Sequence, residues 1–269
     1  MVRLSVALLT ALTLMCGGGF ADEPPPFKDF SAKRVKPPQP GSKKLITVQI
    51  EPEAPATEVS VPEASDVAAA PKAPVTRFDW FWQDVSPEID QAGPGRLDLA
   101  LRALARAEPP VPVPRLQQMQ ALAQAQGIDI LKATIGTDVS PALVLAVMMV
   151  ESAGKADALS GAGAQGLMQL MPDTAARFGV QDSFAPAENI AGGVKYLDWL
   201  MDTFERDPVL VLAGYNAGEG SVRTHNGVPP FAETRDYVPK VLATFQVAKG
   251  LCVTPPELVT DGCVFAALN

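Results

Sequence analysis

Histidine and cysteine are scarce in this chain, whose 269 residues include one His and three Cys. Metal sites in proteins are commonly built from several such ligands at short spacing. The only histidine, His225, lies in a polar stretch with no second ligand at metal-binding spacing, so we expect it to be exposed to solvent. The sequence therefore predicts neither a metal site nor a cofactor.

Cations and long apolar runs are also in short supply. Lys and Arg number 22 against 30 Asp and Glu, which gives a net charge of -8. Nucleic-acid binding depends on clustered cations, so we expect no nucleic-acid partner. No stretch reaches the ~20 apolar residues that a transmembrane helix requires, and we expect no stable membrane span.

Residues 1-21 have the features of a cleavable signal peptide. A cation, Arg3, precedes a short apolar run, and small residues stand at Gly19 and Ala21, the two positions that signal peptidase reads. Cys16 raises the alternative of a lipoprotein, but the bulky Met15 before it disfavours that interpretation. We therefore expect export to the periplasm.

Residues 22-76 are rich in Pro, Ala, Glu and Lys and almost lack aromatic and long apolar side chains. Such a composition cannot bury enough surface to offset the entropy lost on ordering, so a disordered Pro-rich linker is expected. Within it, only the stretch LITVQI at 45-50 could form a strand.

Order is predicted to begin at RFDWFW, residues 77-82, where aromatic side chains cluster. A helical pattern follows at 96-107, and we interpret 77-114 as a helical N-terminal extension packed on the core. The tryptophans of this segment could alternatively form a platform for carbohydrate.

The segment from 115 to 250 has the pattern of one mainly α-helical domain. An amphipathic helix is predicted to start at Arg115 and stop at Gly127. Ser140 and Pro141 then introduce ALVLAVMMV, which is apolar on every side and so predicts a central buried helix, or a buried parallel strand. Further helices are predicted at 172-178, 189-205, 209-216 and about 235-249.

The C-terminal tail, residues 251-269, contains Cys252 and Cys263. Two neighbouring cysteines in an oxidising compartment usually pair, so we expect a disulfide between them. The spacing is not C-x-x-C, which favours a structural bond over redox catalysis.

Glu151 stands out because it follows a wholly apolar stretch. A carboxylate there lies near the negative end of a helix dipole and is partly buried, and both effects raise its pKa. An acid that keeps its proton near neutral pH can act as a general acid on a glycosidic oxygen. The alternative is an ordinary solvated glutamate at a helix end.

Four ordered motifs resemble the family 1 lytic transglycosylases, whose soluble lytic transglycosylase (SLT) domain has a goose-lysozyme-like fold. The motifs cover about half the chain, and they are PALVLAVMMVES (141-152), SGAGAQGLMQLMP (160-172), AENIAGGVKYLDWL (187-200) and AGYNAGEGSVRTHNGVPPFAETRDYVPKVL (213-242). The resemblance implies a helical, lysozyme-like domain with a long cleft that binds the glycan strands of peptidoglycan.

The resemblance also implies roles for particular residues. Glu151 matches the family's single catalytic acid and base, and Tyr237 matches a tyrosine that hydrogen-bonds near it. The resemblance implies seven residues that bind the substrate: Ser152, Ser160, Met168, Gln169, Tyr215, Asn216 and Tyr237. Gly214 stands where the family often has alanine.

The stretch GAGAQG, residues 161-166, also fits the dinucleotide fingerprint G-x-G-x-x-G. That fingerprint needs a strand directly before it and an uninterrupted helix after it, whereas Pro172 follows soon after. We instead expect the glycines to let the backbone pass close to Glu151 and the sugar.

The expected reaction cleaves the β-1,4 bond between N-acetylmuramic acid and N-acetylglucosamine without water. Glycosidases usually use two carboxylates, and the nearby Asp157 and Asp173 are better explained as a turn residue and a first-turn helix residue. A hydrolytic muramidase of the same fold and a non-catalytic peptidoglycan-binding scaffold are the alternatives. Any protein partner, in the cell wall or a secretion apparatus, stays unidentified.

Overall fold

A computed structural model describes residues 76-266 of the chain. In this part of the chain, helices dominate and β-structure is limited to isolated bridges, which confirms the mainly α fold class. The predicted signal peptide, the lipoprotein cysteine and nearly all of the predicted linker, with its strand at 45-50, lie outside the described residues. None of the helices in the described part is both long enough and apolar enough to cross a membrane.

The helices are α1 (Phe81–Asp84), α2 (Arg96–Ala105), α3 (Leu116–Thr134), α4 (Pro141–Ser152), α5 (Pro172–Arg177), α6 (Pro186–Thr203), α7 (Pro208–Ala217), α8 (Glu219–Thr224) and α9 (Ala232–Ala248). Short 3-10 turns lie at Ile89–Gln91 and Lys249–Leu251.

The centre of the core is α4, which begins with Pro141 in its first turn. Every residue from Pro141 to Met149 is buried, because α3 and α9 pack against this helix. The stretch forms a helix of 12 residues, Pro141–Ser152, which excludes the alternative of a buried strand here. The predicted central buried helix is confirmed.

The predicted stop at Gly127 is wrong, because α3 runs through this residue to Thr134. A glycine inside a helix costs about 1 kcal/mol relative to alanine. Burial of Ile130 and Thr134 beyond it, on the side of α3 that meets α4 and α6, outweighs that cost. The chain turns at Gly136 instead, where φ is +76°.

The segment before α3 packs on the helical core. Phe81 is fully buried, and α2 contacts both α7 and α9. Arg96 of α2 forms a buried ion pair with Asp207, their Nε and Oδ2 atoms 3.1 Å apart. Asp207 also caps α7, because its Oδ1 accepts a hydrogen bond from the Leu210 amide at 2.8 Å.

The C-terminal tail contacts the start of α4. A disulfide joins Cys252 to Cys263 and closes a loop that includes Val259. The carbonyl of Val259 accepts a hydrogen bond from the Ser140 amide at 2.8 Å, directly before the first residue of α4. The tail therefore fixes the end of α4 opposite to Glu151.

Candidate active site

Glu151 is the penultimate residue of α4, and it is half-buried. The hydroxyl of Tyr237, from α9, donates a hydrogen bond to Oε1 of Glu151 at 2.7 Å. The pKa of Glu151 is raised from its ordinary 4.5 to about 7. Burial raises it most, the hydrogen bond from Tyr237 lowers it, and the negative charge of Glu233 raises it further. The group can therefore carry a proton near neutral pH and also release it.

The helix α4 ends at Ser152 because of the conformation of the next residue. Ala153 adopts a left-handed conformation with φ of 53°, and its amide bonds back to the Met149 carbonyl. The chain thus leaves α4 sharply and enters the loop between Ser152 and Pro172, which we call the catalytic loop.

Ser152 connects α4 to this catalytic loop. Its buried hydroxyl lies 2.8 Å from the carbonyl oxygen of Leu167 and 3.0 Å from that of Met148. The amide of Gly154 donates to the same hydroxyl at 3.1 Å. These contacts indicate that Ser152 orients the loop beside Glu151 from the protein interior.

Asn189 of α6 holds the other side of the catalytic loop, and the sequence analysis did not single it out. Its Oδ1 accepts from the Met168 amide at 2.7 Å, and its Nδ2 donates to the Gln165 carbonyl at 3.0 Å. It is fully buried. The only available signal was its position in the motif AENIAGG, as an amide on an otherwise apolar helix face.

Gly166 explains part of the glycine motif. A Cβ there would lie 2.0 Å from the carbonyl oxygen of Ser183 and 2.5 Å from Nδ2 of Asn189, and φ is +77°. By contrast, a Cβ on Gly161 or Gly163 would meet no atom within 4 Å. The close approach that requires glycine at 166 is therefore to the backbone of Ser183 and the side chain of Asn189.

Tyr215 of α7 contacts the backbone of the catalytic loop. Its buried hydroxyl donates to the Met168 carbonyl at 2.8 Å, and its ring packs at 5.2 Å from that of Tyr196. The Met168 side chain is itself fully buried and lies against Gly193. Met168 and Tyr215 thus shape the catalytic loop through its backbone.

The tyrosines next to Glu151 stay protonated over the physiological range. Burial and the charge of Glu151 raise the pKa of Tyr237 and that of Tyr215 well above the ordinary value. Each hydroxyl therefore remains a hydrogen-bond donor when Glu151 ionises.

Among the predicted substrate-binding residues, three are half-buried: Ser160, Gln169 and Asn216. The Ser160 Oγ accepts from the Ala164 amide at 2.9 Å. Gln169 adopts a left-handed backbone with φ of 48°, and its Nε2 donates to the Gly166 carbonyl at 2.9 Å. These three residues remain predicted contacts with the sugar. The other residues expected to bind substrate are buried: Ser152, Met168, Tyr215 and Tyr237.

Asn216 meets the first turn of α9. Its Oδ1 accepts from the Thr234 hydroxyl at 2.7 Å, and its Nδ2 lies 3.5 Å from Oε1 of Glu233. Glu233 is exposed, and sequence reasoning missed it. A signal was present, because Glu233 lies four residues before Tyr237 and so on the same helix face.

The other candidates lie at the surface of the protein. Asp157 and Asp173 are exposed, and Asp173 is in the first turn of α5. His225 is exposed as expected, with Nδ1 2.8 Å from the Ser221 carbonyl oxygen and its ring edge-on to Phe231. Among residues 76-266, no three His, Cys, Asp or Glu side chains are grouped to hold a metal ion.

Comparison with known proteins agrees with the motifs. Residues 130-238 match the family described as Transglycosylase SLT domain, which confirms the resemblance for that region. The soluble lytic murein transglycosylase of Salmonella typhimurium is 36% identical, over 41% of this chain and 21% of that protein. The transglycosylase of Enterobacteria phage PRD1 is 35% identical, over 44% of this chain and 43% of the phage protein.

Among solved structures, the 70 kDa soluble lytic transglycosylase SLT70 from Escherichia coli aligns with a TM-score of 0.48 and 27% identity. The alignment covers 61% of this chain and 29% of that one. The chain therefore matches about a fifth to two fifths of the length of these relatives.

Proposed function

We propose that this protein is a periplasmic peptidoglycan lytic transglycosylase with Glu151 as its acid and base. It cleaves the β-1,4 bond between N-acetylmuramic acid and N-acetylglucosamine and leaves a 1,6-anhydro end. The observation that carries the proposal is the half-buried Glu151, with a pKa raised to about 7, hydrogen-bonded to Tyr237 within an SLT-like domain.

In the first step, protonated Glu151 donates its proton to the glycosidic oxygen, and the N-acetylglucosamine leaves. The acetamido oxygen of the muramic acid bonds to C1 as the glycosidic bond breaks, so no protein carboxylate is needed as nucleophile. The hydrogen bond from Tyr237 orients the carboxyl group and stabilises the anion that forms.

In the second step, ionised Glu151 accepts the proton of the C6 hydroxyl. The C6 oxygen attacks C1 and displaces the acetamido oxygen, which closes the 1,6-anhydro ring and restores the acid. No water is consumed. A pKa of about 7 suits both steps, because the same carboxyl must donate and then accept a proton.

The test is mass spectrometry of the muropeptides that the exported form of the protein releases from purified peptidoglycan. We expect products one water lighter than hydrolytic products, and we expect Glu151→Gln to release none. Asp173→Asn, which removes an exposed carboxylate, is the matched control and should retain activity.

Two outcomes would contradict the proposal. Reducing-end products would identify a hydrolytic muramidase. Binding to peptidoglycan with no products from the wild type would identify a non-catalytic scaffold.

A further inference from the structure

Pro239 lies inside α9 and leaves one carbonyl of the helix without its usual partner. Proline has no N–H, so residue 239 cannot donate to the carbonyl of Arg235, four residues earlier. The indole Nε1 of Trp82 donates to this carbonyl at 3.0 Å. A side chain from the N-terminal segment therefore replaces the missing hydrogen bond of the helix.

The same turn of α9 has further contacts with the N-terminal segment. The amide and Nε of Arg77 donate to the two carboxylate oxygens of Asp236, at 2.9 and 2.8 Å. The guanidinium of Arg235 lies over the Trp82 ring, 5.1 Å from its centroid. Residues 235 and 236 are thus both held by residues 77-82.

The next residue is Tyr237, whose hydroxyl bonds to Glu151 at 2.7 Å. A hydrogen bond of this length weakens steeply as its donor moves or tilts. The position of the Tyr237 hydroxyl depends on the turn that Trp82 and Arg77 hold.

We propose that Trp82 is a positioning residue for the reaction: its hydrogen bond to the Arg235 carbonyl fixes the turn of α9 that presents Tyr237 to Glu151. Only the expected effect of Trp82 on turnover rests on the proposed function. The expected effect on the position of Tyr237 does not. The aromatic cluster at 77-82 would then position Tyr237, a role that differs from both simple packing and carbohydrate binding.

The titration of Glu151 reports on this geometry. The groups that act on its pKa are Tyr237 and Glu233 from α9, and the charge of Glu151 is also felt by Tyr215 of α7. Trp82→Phe changes none of these groups. A change in the Glu151 titration in that variant therefore reports a displaced Tyr237.

The experiment compares Trp82→Phe with Trp80→Phe. Trp80 belongs to the same cluster but contacts the rings of Phe78 and Phe81, at centroid distances of 6.3 and 6.0 Å. The Glu151 carboxyl is followed by carbon-13 NMR in glutamate-labelled protein, with its signal assigned by its loss in Glu151→Gln. The pH profile of muropeptide release is recorded in parallel.

We expect Trp82→Phe to shift the Glu151 titration upward, no further than Tyr237→Phe does, and to lower the rate of release. Trp80→Phe should leave both unchanged. In a Tyr237→Phe background, Trp82→Phe should produce no additional shift, because the hydrogen bond it positions is already lost.

Pro239→Ala provides a rescue, because it restores an N–H that can donate to the Arg235 carbonyl. The double variant Trp82→Phe/Pro239→Ala should titrate like Pro239→Ala alone. This comparison also tests the role of Trp82 if Trp82→Phe alone does not fold. A Glu151 titration in the double variant that lies above that of Pro239→Ala would contradict the proposal.

A Trp82→Phe protein that melts earlier but keeps the wild-type titration and pH profile would show a merely structural role and overturn the inference. If the wild type releases no muropeptides, the proposed function fails, but the NMR titration still decides the role of Trp82.

Discussion

Glu151 should destabilise the folded protein at alkaline pH, and its replacement by glutamine should remove that effect. The folded carboxyl has a pKa of about 7 against 4.5 ordinarily, so between these values the folded state binds more protons than the unfolded state. Stability must then fall as pH rises through this window, which is the sign that linkage requires.

The magnitude follows from 1.36 kcal/mol per pH unit. Between pH 5 and pH 8, the shift from 4.5 to about 7 corresponds to roughly 2.5 kcal/mol, and partial exposure of the carboxyl reduces this to about 2 kcal/mol. Glutamine has no charge to desolvate and can still accept the Tyr237 hydrogen bond. Glu151→Gln should therefore be more stable than the wild type at pH 8 while being inactive.

The assay is urea unfolding of the wild type, Glu151→Gln and the control Asp173→Asn at pH 5 and pH 8. Other groups titrate in this range, so the relevant quantity is the change in unfolding free energy between the two pH values, compared across variants. We expect the wild type and the control to agree and Glu151→Gln to differ by about 2 kcal/mol. Equal pH dependence in all three would refute the buried, raised-pKa description of Glu151.

Three further predictions concern the charge next to Glu151, the catalytic loop and the buried ion pair of the core. Glu233→Gln removes a neighbouring negative charge, so the pKa of Glu151 should fall and the pH profile of muropeptide release should move to lower pH; an unchanged profile would contradict the coupling. Gly166→Ala should destabilise the fold by at least about 2 kcal/mol, measured by urea unfolding, because its Cβ would clash with Ser183 and φ is positive. Asp207→Asn leaves the buried Arg96 charge without its partner and should cost about 3 kcal/mol; a cost below about 1 kcal/mol would argue against the ion pair.

The sequence was sufficient where one local signal dominated. The apolar stretch after Ser140 and Pro141 predicted a central buried element, and the structure shows that this element is a helix. Helix starts at Pro172, Pro186 and Pro208 lie within three residues of the predicted bounds. In these cases the residue types decide the structure without help from distant parts of the chain.

Where distant residues decide, the sequence was insufficient. The helix stop at Gly127 failed because α4 and α6 bury the residues beyond it. The short helix α8 was missed, since its six residues contain one apolar side chain, Val222, and the helix packs against α7. The hydrogen bond from Trp82 to Arg235 joins residues 153 positions apart, and no local sequence pattern predicts it.

The most direct test of the proposed function is digestion of purified peptidoglycan in oxygen-18 water, followed by mass spectrometry of the released muropeptides. Transfer to the C6 hydroxyl consumes no water, so the products should contain no oxygen-18 and should be absent with Glu151→Gln. Products that carry one oxygen-18 atom at the reducing end would show that water attacks C1, and the transglycosylase account would be wrong.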